Sequence, residues 1–194
     1  MDPPGDRQRW VLGLVATHER ALLRYATRLL GDADRACDAV QHAFVELCAQ
    51  SPAALDGKAV PWLYRVCRNR AIDLLRQAGR ERGLDEVHPE AGPMRTTAEP
   101  VTREADPAAR VESADLVGHL RALIAKLPRL QAETLDLWSA GLSYREIATV
   151  TGKTEGHVRV LAHRGLSTLR AHPLIRDLLA SSITVSPATV EVHR

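Results

Sequence analysis

Residues 142–169, LSYREIATVTGKTEGHVRVLAHRGLSTL, constrain the fold more tightly than any other segment, because they spell two short helices and the turn between them. Ser143 and Glu146 stand at N-cap and N3 of a capping box, and Leu142 can staple onto Ile147. Gly152 allows a left-handed turn where the first helix stops, and Thr154 caps the second. Small Ala148 leaves room for the two helices to cross. On the second helix Val158, Leu161, Ala162 and Leu169 make one apolar stripe. Glu155, His157, Arg159, His163, Arg164 and Thr168 stay outside, a polar and largely basic surface of the size that enters a DNA major groove. Gly165 weakens that helix by roughly 0.5–1 kcal/mol relative to alanine, and can permit a close crossing.

Residues 61–80, PWLYRVCRNRAIDLLRQAGR, predict a second kind of surface. At 3.6 residues per turn Leu63, Val66, Cys67, Ala71 and Leu74 gather on one side. Trp62, Arg65, Arg68, Asn69, Arg76 and Arg80 gather on the other. Pro61 suits the first helical position, where its missing N–H would be unpaired anyway. Cations for phosphates and a ring for a base are what single-stranded or melted nucleic acid requires. Asp73 can pair with Arg76 or Arg70, while Arg70 projects toward the apolar half and has to snorkel or sit at a domain edge. Trp62 either stacks on a base or closes the top of the helical bundle.

The remaining sequence reads as an all-α chain of two small domains. Residues 1–9 are polar and expected to be disordered. Residues 10–83 form a first helical domain, opened by a helix ended at Gly31 with Leu12, Val15, Leu22, Leu23, Ala26 and Leu29 inward. A second helix runs from about residue 35 to 49, capped by Asp32 or Asp34, with Ala36, Val40, Ala43, Phe44, Leu47 and Cys48 as its core stripe. Residues 84–111 hold four prolines and six acids against three arginines, without an apolar period, and are expected to be a flexible acidic linker. Residues 112–176 form the second helical domain, and 177–194 a tail. The overall charge of +2 hides this alternation of basic modules and acidic connector.

Several function classes are excluded. No hydrophobic run approaches a membrane span and the first ten residues lack a signal core, so a cytoplasmic protein is expected. Cys37, Cys48 and Cys67 have neither CxxC spacing nor neighbouring histidines, and are expected to be buried thiols, with no metal site. With no carboxylate pair, phosphate loop or nucleophile–base set, no catalytic residue and no cofactor are expected.

Together these motifs resemble a bacterial RNA polymerase sigma factor of the sigma-70 family, of the small extracytoplasmic-function (ECF) type. WLYRVCRNRAIDLLR is similar to that family's promoter-melting helix, with Asn69, Asp73 and Arg76 in its pattern. DADRACDAVQHAFVEL resembles its polymerase-binding helix, and the helix-turn-helix its upstream-promoter-reading domain. The resemblance covers roughly residues 10–172. It implies two domains, region 2 and region 4, and no covalent chemistry.

The resemblance also implies roles. Asp38, Gln41, His42, Phe44 and Val45 would dock on the clamp of the largest subunit of core RNA polymerase, with the flap as a further contact. Asp56, Gly57 and Lys58 lie where relatives capture a flipped base of the −10 element, and Trp62, Arg65, Arg68, Asn69 and Arg76 would hold the separated strand. His157, Arg159, His163 and Arg164 would read the −35 element, with Lys153 and Thr154 on phosphates. Promoter DNA and an anti-sigma factor are the other implied partners. Three departures stand out: Cys37 where relatives commonly carry an acid, Leu161 where many have arginine, and Gly165 in place of alanine. Two rival readings use only part of the chain. A stand-alone helix-turn-helix regulator leaves the Asp38/Gln41 and Asn69/Asp73/Arg76 patterns idle, and an RNA-binding module needs no promoter.

Overall fold

Helix α1 (Pro4–Leu30) starts earlier than the apolar pattern suggests. Proline fits a first helical turn, Asp6 faces the positive end of the helix dipole, and Arg7 anchors the segment. Its guanidinium donates to the carbonyls of Gln50 at 2.8 Å and Ala49 at 3.4 Å, just beyond the end of α2. Residues 4–9, expected to be disordered, are therefore helical. The computed structural model describes residues 4–81 and 122–177, and the expected linker lies outside them, as does the tail except residue 177.

The described elements are all helices: α1, α2 (Ala33–Cys48), α3 (Pro52–Leu55), α4 (Ala59–Glu81), α5 (Arg129–Ser139), α6 (Tyr144–Thr151) and α7 (Glu155–Ala171). Asp32 caps α2 by accepting from the N–H groups of Asp34 and Arg35 at 3.0 and 3.1 Å. The loop before the basic helix contains the one-turn α3, capped by Ser51. Helix α4 begins at Ala59, so Pro61 sits third rather than first, still within the turn that tolerates it.

Helices α1, α2 and α4 pack as a bundle around Leu22, Tyr25, Ala26, Ala36, Ala43, Leu47, Leu63, Cys67 and Ala71. Leu12 was expected to face inward, yet it is 57% exposed. Fully buried positions on α1 begin only at Leu22; before it Trp10, Val11 and Leu14 are partly buried against the core, and Leu12 falls at the edge of that face. Helices α5, α6 and α7 form the second unit, with Ile147, Val158 and Ala162 sealed inside. The apolar cluster does not stop at the boundary between units. It runs from the bundle through Leu127, Ala132, Leu135 and Leu137 into the helix-turn-helix.

A candidate nucleic-acid interface and the buried ion pairs behind it

The helix-turn-helix has the local geometry its sequence predicts. The Ser143 hydroxyl accepts from the Glu146 N–H, and the Glu146 carboxylate accepts from the Ser143 N–H at 2.8 Å. Gly152 ends α6 at φ 69°, and the Thr154 side chain caps α7 through the His157 N–H. Gly165 is buried, and a Cβ placed on it would lie 3.0 Å from Leu135 Cδ1, so α7 does cross α5 closely there. His157, Arg159, His163 and Arg164 all face outward on α7. Arg159 is held in place: its guanidinium donates to Glu155 at 2.6 Å and lies 5.6 Å from the centroid of the Tyr144 ring. The Glu155 carboxylate raises the Arg159 pKa further.

On α2, Asp38, Gln41, His42 and Val45 form an open strip, with Phe44 half-buried at its edge and Val45 67% exposed. Asp38 is paired there, accepting from Arg70 of α4 at 2.7 Å. That contact resolves where Arg70 goes: its stem is half-buried and its tip reaches the domain edge. Asp73 pairs instead with Arg76, at 3.5 Å.

The α3–α4 connection is backbone-constrained. Asp56 has φ 44° and Gly57 φ 71°, consecutive left-handed residues, and Asp56 is the one non-glycine with positive φ among the described residues. Such a conformation costs an aspartate about 1 kcal/mol. Lys58 lies 3.5 Å from Asp56, so the three expected base-capture residues form one small polar hook.

Helix α4 departs from expectation at one position. Arg65, Asn69 and Arg76 are exposed, but Arg68 is only 7% exposed. Its Nε donates to Glu133 Oε1 at 2.7 Å, and the same oxygen accepts from the Tyr25 hydroxyl at 2.8 Å. Glu133 belongs to α5, in the second unit, so Arg68 is turned inward by a carboxylate the first unit does not contain. Beside it, Arg28 of α1 meets Asp136 of α5 at 2.6 Å. Burial outweighs Arg28 and pushes the Asp136 carboxyl up to about 7. The Tyr25 hydroxyl, buried and bonded to Glu133, is raised well above its ordinary value, and its ring meets Tyr64 edge-on at 5.3 Å. Glu133 and Asp136 are functional candidates that the sequence reading missed. Their one signal was a pair of acids standing among the apolar residues Ala132, Leu135 and Leu137.

Between the units lies a cleft of about 700 Å³. Lys58, Trp62 and Arg65 line one wall, and Arg145, Glu146 and Thr149 of α6 the other. Trp62 is half-buried there, its ring against the apolar core. Of the cysteines, Cys67 is buried, its thiol pushed up to about 12 by desolvation. Cys37 and Cys48 are exposed, contrary to expectation, because Cys37 lies beside the open Asp38 strip and Cys48 ends its helix.

Two family descriptions match in the order these helices occur. Sigma-70 region 2 matches residues 14–81, and Sigma-70, region 4 matches residues 119–169. The chain belongs to the sigma-70 family. Within it, this ECF sigma factor is 31% identical over 160 residues to the ECF RNA polymerase sigma factor SigL of Mycobacterium tuberculosis, covering 81% of the chain and 85% of SigL. It is 30% identical over 158 residues to the ECF sigma factor SigE of Mycolicibacterium smegmatis, covering 81% of the chain and 59% of SigE. Its fold is similar to that of the sigma factor RpoE of Bartonella quintana, solved with the anti-sigma factor NepR. The TM-score is 0.62 at 21% identity, over 84% of this chain and 95% of RpoE.

Proposed function

We propose that this sigma factor docks on polymerase through one helical surface and divides promoter recognition among three others, two on helices and one on the loop before α4. The family is a non-catalytic initiation factor that binds core RNA polymerase and directs it to promoters, so the polymerase supplies the chemistry. The open strip Asp38, Gln41, His42, Phe44 and Val45 docks on the polymerase clamp. The hook Asp56–Gly57–Lys58 takes a flipped base, and Trp62, Arg65, Asn69 and Arg76, joined by Arg68 once it is released, hold the separated strand. His157, Arg159, His163 and Arg164 read the upstream duplex, with Lys153 and Thr154 on its phosphates. Residues 10–83 and 112–176 are the working domains and 84–111 the connector. An anti-sigma factor, such as the one solved with the Bartonella relative, is a further partner in this reading. Among the described residues no helix is long and apolar enough to cross a membrane, and the proposed place of action is the cytoplasm.

The observation that carries this reading is the matching of both regions in order, with the α2 strip exposed. A stand-alone helix-turn-helix regulator would leave region 2 without a task. The test is reconstitution with bacterial core RNA polymerase and a genomic promoter library. Stable association and selective run-off transcription are expected, both lost in Gln41→Arg and in Asp38→Arg. Duplex binding by the isolated chain with no affinity for core would overturn the assignment.

A further inference from the structure

Helix α7 buries Val158, Ala162 and Gly165. At about 100° per residue, the line directly opposite that stripe runs through Gly156, Val160 and Ser167. His163 and Arg164 flank the line, and His157 and Arg159 lie further round. A helix that offers this face to a major groove therefore points Val160, and not one of its cations, at the groove floor. Val160 is 47% exposed. A lone exposed valine carries little weight, but the glycine one turn before it is a second observation. Gly156 has no positive φ, and a Cβ placed on it would meet nothing within 4 Å. Neither backbone conformation nor packing within the chain calls for glycine there, although glycine weakens a helix relative to alanine. Gly165, by contrast, is accounted for by Leu135. A bare backbone on an outward face permits close approach to something outside the chain.

We infer that Gly156 and Val160 form the apolar centre of the recognition face and read the 5-methyl group of a thymine in the −35 element. On the major-groove floor the base edges carry hydrogen-bond donors and acceptors, and the thymine methyl is the apolar group among them. Valine can neither donate nor accept. Against thymine it gains apolar contact, whereas against the amino group of cytosine or adenine it strips water and returns no hydrogen bond. Both residues lie in the first two turns of α7, the part of a recognition helix that reaches base edges. Gly156 leaves the first turn bare, so the helix settles deep enough for the Val160 methyls to touch the floor. The flanking histidines and arginines then reach neighbouring base edges and phosphates. This base assignment rests on the reading of α7 given above and adds to it one required base, a thymine opposite Val160.

The promoter selected in the reconstitution above supplies the probe. Each thymine of its −35 element, on either strand, is replaced in turn by deoxyuridine, which keeps every hydrogen-bonding group and lacks only the methyl. Binding of each duplex is measured with holoenzyme formed from the full chain. At one position a loss of about threefold or more is expected, the scale set by burying a single methyl group. Val160→Ser should abolish that loss and bind the two duplexes alike. Indifference of the wild type to every replacement, or a loss that persists in Val160→Ser, would overturn the inference. Gly156→Ala should bind the thymine duplex at least threefold more weakly while its thermal unfolding midpoint does not fall. Equal binding would overturn the role of Gly156. If α7 does not read the −35 element at all, the result is different again: base-pair changes that alter its hydrogen-bonding groups would also leave binding unchanged.

Discussion

Gly165 shows how one missing methyl group sets a helix crossing. Alanine would gain about 1 kcal/mol of helix propensity, but its Cβ would meet Leu135 at 3.0 Å in a packed interior. The two effects are similar in size, so Gly165→Ala is expected to be neutral within about 1 kcal/mol in urea denaturation. Gly165→Val, which adds two further carbons and a poorer helix former, should lose roughly 2–3 kcal/mol. A stabilised valine variant would show that α5 and α7 can separate cheaply. Arg159 is a second case at this scale. Its ties to Glu155 and Tyr144 restrict where its fork can point before any base edge arrives.

At the level of the element, α6 depends on its cap. It has eight residues, too few to be stable alone, and its capping box supplies two of the hydrogen bonds that fix its start. Ser143→Ala should cost about 1 kcal/mol. It should also speed amide exchange along α6 and leave that of α2 unchanged; uniform exchange in both helices would refute the local role. These caps were legible in the sequence because every partner lies within a few residues. The α2 strip and the inward face of α4 were legible too, since periodicity alone places them. The inward turn of Arg68 was not. Its partner Glu133 stands 65 positions away, Glu133 in turn stands 108 from its second donor Tyr25, and no local pattern couples residues across such distances. Leu12 and Cys48 were misplaced for a related reason: each stands at the margin of its helix's apolar stripe, and periodicity does not say how far round the helix the neighbours reach.

The arrangement of the whole molecule gives the contact between the two units a dependence on acidity. Asp136 faces Arg28 and Arg24 of α1, Glu133 of its own helix and Tyr64 of α4, and burial dominates them all. Its pKa in the closed chain, about 7, lies above the ordinary carboxylate value near 4. The closed form therefore holds the Asp136 proton more firmly than the open form does. The contribution of this group to closure is complete below about pH 4 and is lost as pH rises through about 7. With spin labels on Cys37 of α2 and on a Ser167→Cys substitution of α7, in a Cys48→Ser background, the fraction of chains at a single short distance should fall between about pH 5 and pH 8, and Asp136→Asn should flatten that change. A slope that survives in the asparagine variant would assign the titration elsewhere. The apolar cluster shared by the two units carries a different consequence. Opening brings some of that surface into water, and apolar surface is expelled from water less strongly as temperature falls. Cooling thus loosens the contact that the cluster supports. Through this term alone, the population of free chains with the units apart is expected to grow on cooling, before any partner acts on it.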